Sequence, residues 1–113
     1  PKKMITFEEF QKVDIRVGTI ISAEENPNVT KPSLILIVDF GSELGLKKTS
    51  AQLTKNYITN QLIGLQIAAV INFSPKQIGK MISEFLVLGF PDINNQPILV
   101  TPTQKIENGG KLF

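Results

Sequence analysis

Residues 65–89 read LQIAAVINFSPKQIGKMISEFLVLG, two apolar runs, Leu65–Phe73 and Met81–Leu88, on either side of Ser74–Lys80. Both runs are rich in Ile, Val, Leu and Phe and have strand length. Pro75 presets one backbone torsion and Gly79 admits a torsion that other residues resist, so the connector should turn the chain sharply. The expected unit is strand, tight connector, strand, with two lysines and a glutamine at a small polar tip.

Upstream of this unit, Thr54–Ile63 carries Tyr57, Ile58 and Leu62 near helical spacing, with Thr54 as a candidate N-cap and Gly64 as a stop. Before it, Leu46–Leu53 reads as a polar strand and Ser33–Phe40 as a central strand covered on both faces. Val13–Glu25 alternates, with Val13, Ile15, Val17, Thr19, Ile21 and Ala23 on the expected buried face and a bend or bulge at Gly18. Asn26-Pro27-Asn28 is a turn. Thr6-Phe7-Glu8-Glu9 fits a capping box and predicts a short helix from Phe7 to Lys12, with Phe7 and Phe10 on one face. A helix so short needs something to dock on. Downstream come a short strand, Ile98–Thr101, and a hairpin signal at Asn108-Gly109.

The order is strand, strand, strand, helix, strand, strand. The fold class is therefore mainly β: a five-stranded OB-fold barrel with a helix between strands 3 and 4. A small sandwich would leave the helix unexplained. At 113 residues the chain is expected to be one domain, residues 1–113. Hydrophobic content of 42% against 19% charged residues argues against disorder. The apolar runs are too short to span a membrane, and Pro1-Lys2-Lys3-Met4 leads into no signal-peptide core, so a cytoplasmic protein without membrane insertion is expected.

The chain holds neither histidine nor cysteine, which removes most zinc sites, Ser-His-Asp triads and Cys-His dyads. No pair of carboxylates is spaced for acid–base work. The expectation is no enzyme, no metal and no cofactor. Net charge is only +2, but six lysines and only two acids fall between Thr30 and Lys80, while acids gather at both ends. That distribution could form a modest positive patch.

Several blocks then resemble a known family. Asp14-Ile15-Arg16-Val17-Gly18-Thr19-Ile20 is similar to the opening strand of tRNA-binding domains. Lys31-Pro32 with Val38–Gly41, Ser50–Thr54 with Tyr57, and Asn72–Ile78 with Ser83–Gly89 resemble the CsaA branch, across nearly the whole chain. The resemblance implies a homodimer joined through N- and C-terminal extensions. It also implies an export-related chaperone for unfolded or precursor polypeptides, or a tRNA-binding protein without base specificity. The tRNA-binding relatives typically read Ser-Glu-Gly-Met where this chain has Ser83-Glu84-Phe85-Leu86. A ring in place of glycine is expected to add apolar surface suited to peptide.

The candidate peptide-binding residues are Ile71, Phe73, Met81, Phe85 and Leu86, since Met81–Leu88 is apolar on both faces and a barrel buries only one. The competing fate for that surface is a subunit interface. The candidate RNA-binding residues are Lys47, Lys48, Gln52, Asn72, Lys76, Gln77, Lys80, Ser83 and Glu84, against the alternative that scattered lysines form a solvated face. Phe73 and Phe85 could also stack bases, though aromatic residues in such strands are more often core. Asn72 fits structural hydrogen bonding, Ser83 a site, and Arg16 beside Asp14 a structural ion pair.

Overall fold

The computed structural model describes residues 3–27 and 29–113; Pro1, Lys2 and the Asn28 end of the Asn26–Asn28 turn lie outside the described residues. Helix α1 (Phe7–Gln11) opens the chain, followed by β1 (Ile15–Glu25), β2 (Leu34–Asp39), β3 (Leu46–Ala51), α2 (Thr59–Leu62), β4 (Gln66–Val70) and five shorter strands. These are β5 (Lys76–Ile78), β6 (Met81–Ser83), β7 (Leu86–Val87), β8 (Gly89–Pro91) and β9 (Pro97–Leu99). Five strands form one antiparallel sheet in the order β3-β2-β1-β4-β7, while β5-β6 and β8-β9 are separate hairpins. The sheet curls into a nearly closed barrel with α2 between its third and fourth strands. This is the OB-fold.

The core explains why β1 bends. Its pairing with β2 slips one residue between Ile20 and Ser22, so a bulge resets the alternation. Ala23 points inward as expected, but Ile20 also points inward and Ile21 outward, the reverse of the simple period-two expectation. Gly18 is not the bulge. A Cβ there would come within 2.6 Å of Val38 Cγ1 and 2.7 Å of Phe40 Cδ1, so its role is close packing of β1 on β2. β2 is central, but only Leu34, Leu36 and Val38 are fully buried; its other face is half-covered.

Local expectations hold unevenly. The Thr6 capping box forms, with Glu9 N–H donating to Thr6 Oγ1 and Thr6 N–H to Glu9 Oε1. Phe7 and Phe10 sit 6.2 Å apart by ring centroid. Yet α1 buries no residue within this chain. The second helix is one turn instead of ten residues, and Thr54 does not cap it. The Leu53 carbonyl accepts the N–H groups of Asn56 and Tyr57 in a separate turn, and Gln61 Oε1 accepts from Ile58 N–H. Gly64, at φ +92°, ends it as expected.

The stretch 65–89 also divides differently. Its connector is itself half of a hairpin: β5 pairs with β6 around Gly79, whose φ is +61°. Glycine at the first turn position suits the two-residue hairpin geometry. The expected single strand Met81–Leu88 consequently breaks at Glu84, giving β6 and then β7, which pairs with β4. Ile98–Thr101 shortens to β9, which pairs with β8. No hairpin forms at Asn108-Gly109. Instead the C-terminal segment lies along β1: Gly109 N–H donates to Val17 O, Val17 N–H to Gly110 O, and Leu112 N–H to Ile15 O.

Candidate binding groove

A groove of ≈ 630 Å³ opens where the barrel fails to close, between β3 with its continuation and the chain from Ser83 to Gly89. One wall is Thr49, Ser50, Ala51, Gln52 and Leu53; the floor and opposite wall are Ser83 and Phe85 to Gly89. Phe73, Ser74, Lys76 and Ile78 close one end, and Asn95, Gln96 and Pro97 the other. Lys76 is the single charged residue in this lining.

The two walls are pinned together at one end. Glu84 N–H donates to the Lys48 carbonyl at 2.8 Å, and Lys48 N–H donates to Glu84 Oε1 at 3.0 Å. Beneath them the buried Thr49 and Ser83 hydroxyls lie 2.6 Å apart, and Thr49 Oγ1 donates to the Phe85 carbonyl at 2.8 Å. Buried hydroxyls satisfied in this way fix the wall spacing. At the other end Asp92 organises the β8-β9 turn. Its carboxylate accepts the N–H groups of Gln96 and Asn94 and the side-chain amide of Asn56. These bonds, the Gln96 one foremost and then Asn56, hold its carboxyl below the ordinary value of 3.8.

The groove brings together some of the sequence-selected residues. Phe73 is 58% exposed at the rim and Leu86 48% exposed on the wall. Gln52, Lys76 and Ser83 also line it. Phe85 departs from expectation: it is 4% exposed, and its ring meets Phe40 edge-on at 5.1 Å and 84°. Replacing glycine by phenylalanine here fills the core and adds no outer ring. Ile71 and Met81 are half-buried outside the groove lining, and Ile71 packs against the core.

The remaining candidates have other surroundings. Asn72 ties the start of β1 to the end of β4, donating to Lys12 O at 2.7 Å and accepting Asp14 N–H at 3.0 Å. Gln77 donates to Gly79 O within its own hairpin turn, where Lys80 is exposed. Lys47 and Lys48 are consecutive on β3 and so project from opposite faces. Arg16 Nε pairs with Asp14 Oδ1 at 2.6 Å and Arg16 Nη1 donates to Gly109 O, a structural ion pair that also holds the C-terminal segment. Ser50, Leu53, Val87 and the β8-β9 turn are groove residues that sequence reading did not select as a site. They come from segments up to 47 positions apart (50 to 97), and only the polar cast of β3 hinted at an edge. Among the described residues no cluster of acids suited to a metal occurs, and no helix is long and apolar enough to cross a membrane.

The site is thus a partly apolar groove that opens from the side of a nearly closed OB barrel. The chain belongs to the tRNA binding domain family, whose model matches residues 15–111. It superposes on the CsaA chaperone of Bacillus anthracis with 43% identity and a TM-score of 0.91, covering 98% of this chain and 100% of that one. For the CsaA chaperone protein of Picrophilus torridus the values are 44% and 0.90, covering 97% and 100%. The chain is also 37% identical over 108 residues to the methionine–tRNA ligase of Methanococcoides burtonii, covering 96% of this chain and 16% of the ligase. It thus spans only about a sixth of the curated relatives it matches.

Proposed function

We propose that this chain is a chaperone that holds extended, unfolded or precursor polypeptide, acting in export as a cytoplasmic homodimer. The observation that carries the reading is the groove: one wall apolar from Phe85 to Leu88, a mixed wall on β3, one cation, and an open strand edge along one side. An extended segment can add its backbone to that edge and set alternate apolar side chains into the groove. The similarity to two CsaA chaperones supports the same reading. The homodimer is supported by the exposed apolar residues Met4, Ile5 and Phe7 around α1, a helix with no buried face in the single chain. Leu86→Asp with Phe73→Asp tests the reading. In a variant of unchanged fold, suppression of the aggregation of a chemically unfolded client should be lost. Undiminished suppression would refute it.

A second reading, binding of tRNA without base specificity, has its own support in a set of lysines. Lys76 and Lys80 lie on the β5-β6 hairpin that packs on β3 through β6, and one of Lys47 and Lys48, which project from opposite faces of β3, can join them in a single patch. Binding of this kind should weaken with salt at a slope of about −0.7 to −0.9 per phosphate neutralised. Affinity for bulk tRNA that is absent or indifferent to salt removes it.

A further inference from the structure

β3 is an edge strand of the barrel sheet, and its free side faces the groove. At Lys48 that side is already taken. Glu84 supplies its own N–H to the Lys48 carbonyl and a carboxylate oxygen to the Lys48 N–H. One residue thereby occupies both outward groups of Lys48, as a partner strand would. In an antiparallel ladder, residues two apart direct their backbone groups the same way, so Ser50 turns its N–H and C=O toward the groove it lines. Three residues further, Leu53 N–H folds back onto Ala51 O and the edge ends. What remains open is Ser50 to Gln52, at about 3.4 Å per residue a length of about 7–10 Å.

We propose that Glu84 is a positioning residue that fixes the register of bound polypeptide. It blocks strand addition at Lys48, so that an extended segment pairs through Ser50 over two or three residues and sets its side chains beside Leu53, Phe73, Leu86 and Val87. The inference rests on the polypeptide reading above. The occupant follows from the chemistry. An unpaired strand edge is matched by another backbone, while one lysine in the lining is too little charge to track a phosphate chain. So short a pairing window predicts a holder that discriminates little between sequences, because most of the segment lies outside it.

The test uses the full chain and a ten-residue alternating leucine–serine peptide, with a series carrying a single N-methyl group at each position. In the free protein the Lys48 amide should be protected from exchange; Glu84→Gln, which keeps the acceptor oxygen, should retain this protection. Glu84→Ala should exchange that amide at least about tenfold faster, since the amide loses its carboxylate acceptor. On peptide binding, the Ser50 amide of the parent chain should become protected while the Lys48 and Glu84 amides keep the protection they already have. In Glu84→Ala, the protected stretch should extend to Lys48, and the N-methyl positions that block binding should move by two residues. A merely structural glutamate would alter affinity without moving that register. Parent chain that binds no peptide overturns the polypeptide reading and this inference together. Binding with the same blocking positions in Glu84→Ala overturns the inference alone. Displacement of peptide from the Ser50 edge by tRNA, with steep salt dependence, assigns the edge to nucleic acid and overturns it as well. Should Glu84→Ala not fold, the parent measurements still decide, since new protection at Ser50 with the Glu84 amide still protected supports the stop, and loss of protection at Glu84 on binding refutes it.

Discussion

Replacing Phe85 by alanine is the sharpest probe of how the groove is built. The ring is 4% exposed and contacts Phe40 edge-on. Large-to-small substitution of a buried phenylalanine costs about 3–5 kcal/mol, of which an edge-to-face pair contributes about 0.5–1.5 kcal/mol. That is a large part of the 5–15 kcal/mol, approximately, that holds an ordinary domain together. Taking about 1.5 kcal/mol per M for the urea dependence of a small domain, the midpoint should fall by about 2–3 M. Urea unfolding followed by circular dichroism reads this directly, and an unchanged slope would confirm a stability effect. Phe40→Leu, alone and combined with Phe85→Ala, isolates the ring pair as a coupling energy. A midpoint shift under about 0.5 M would refute the core assignment and return Phe85 to the surface. So would loss of client binding at unchanged stability.

Gly18→Ala should lose about 1–3 kcal/mol by overpacking, because besides Val38 and Phe40 the new methyl meets the Asp39 carbonyl at 2.9 Å; calorimetry should show a lower Tm. Thr49→Val removes the donor to Phe85 O and leaves the buried Ser83 hydroxyl only its long 3.4 Å bond to that carbonyl, for a loss of about 1–3 kcal/mol by urea titration that Ser83→Ala should partly relieve in the double variant. Asp92 has a depressed pKa, so what its charge contributes is present above the ordinary value of 3.8 and lost as pH falls through the lower folded value. Protection of the Asn94 and Gln96 amides should therefore hold through the neutral and mildly acidic range and fail only once pH falls below the ordinary value of 3.8, whereas Asp92→Asn should weaken it at neutral pH.

The barrel was legible because its long strands announce themselves. The apolar run before Phe40, the alternation of Val13–Glu25 and the Gly64 stop all carry local physical meaning, and the connectivity follows from their order. The groove was less legible for reasons equally physical. Glu84 looks like a polar interruption in an apolar strand, and only the fold brings it opposite Lys48, 36 positions earlier, where it ends one strand and caps another. Phe85 follows that break, so a period-two reading of 81–88 cannot give its direction. Asn108-Gly109 has the composition of a hairpin turn, but Gly109 takes its positive φ to approach Phe40 O, where a Cβ would lie at 2.6 Å. Composition identifies such a glycine without identifying its neighbour.

The strap formed by residues 106–112 bears on how the barrel is made. Thr19 and Gln66 reach the Asn108 side chain at 2.8 and 3.0 Å, Gln66 also exchanges bonds with the Ile106 backbone, and Arg16 grips Gly109 from 93 positions away. The opening strand of the barrel is thus finished by residues about 90 positions further along the chain. Closure over so long a span is slow compared with local pairing. Until residue 112 has cleared the ribosome, one side of β1 stays an unguarded template for stray strands, so the barrel is most open to mispairing just before it is complete.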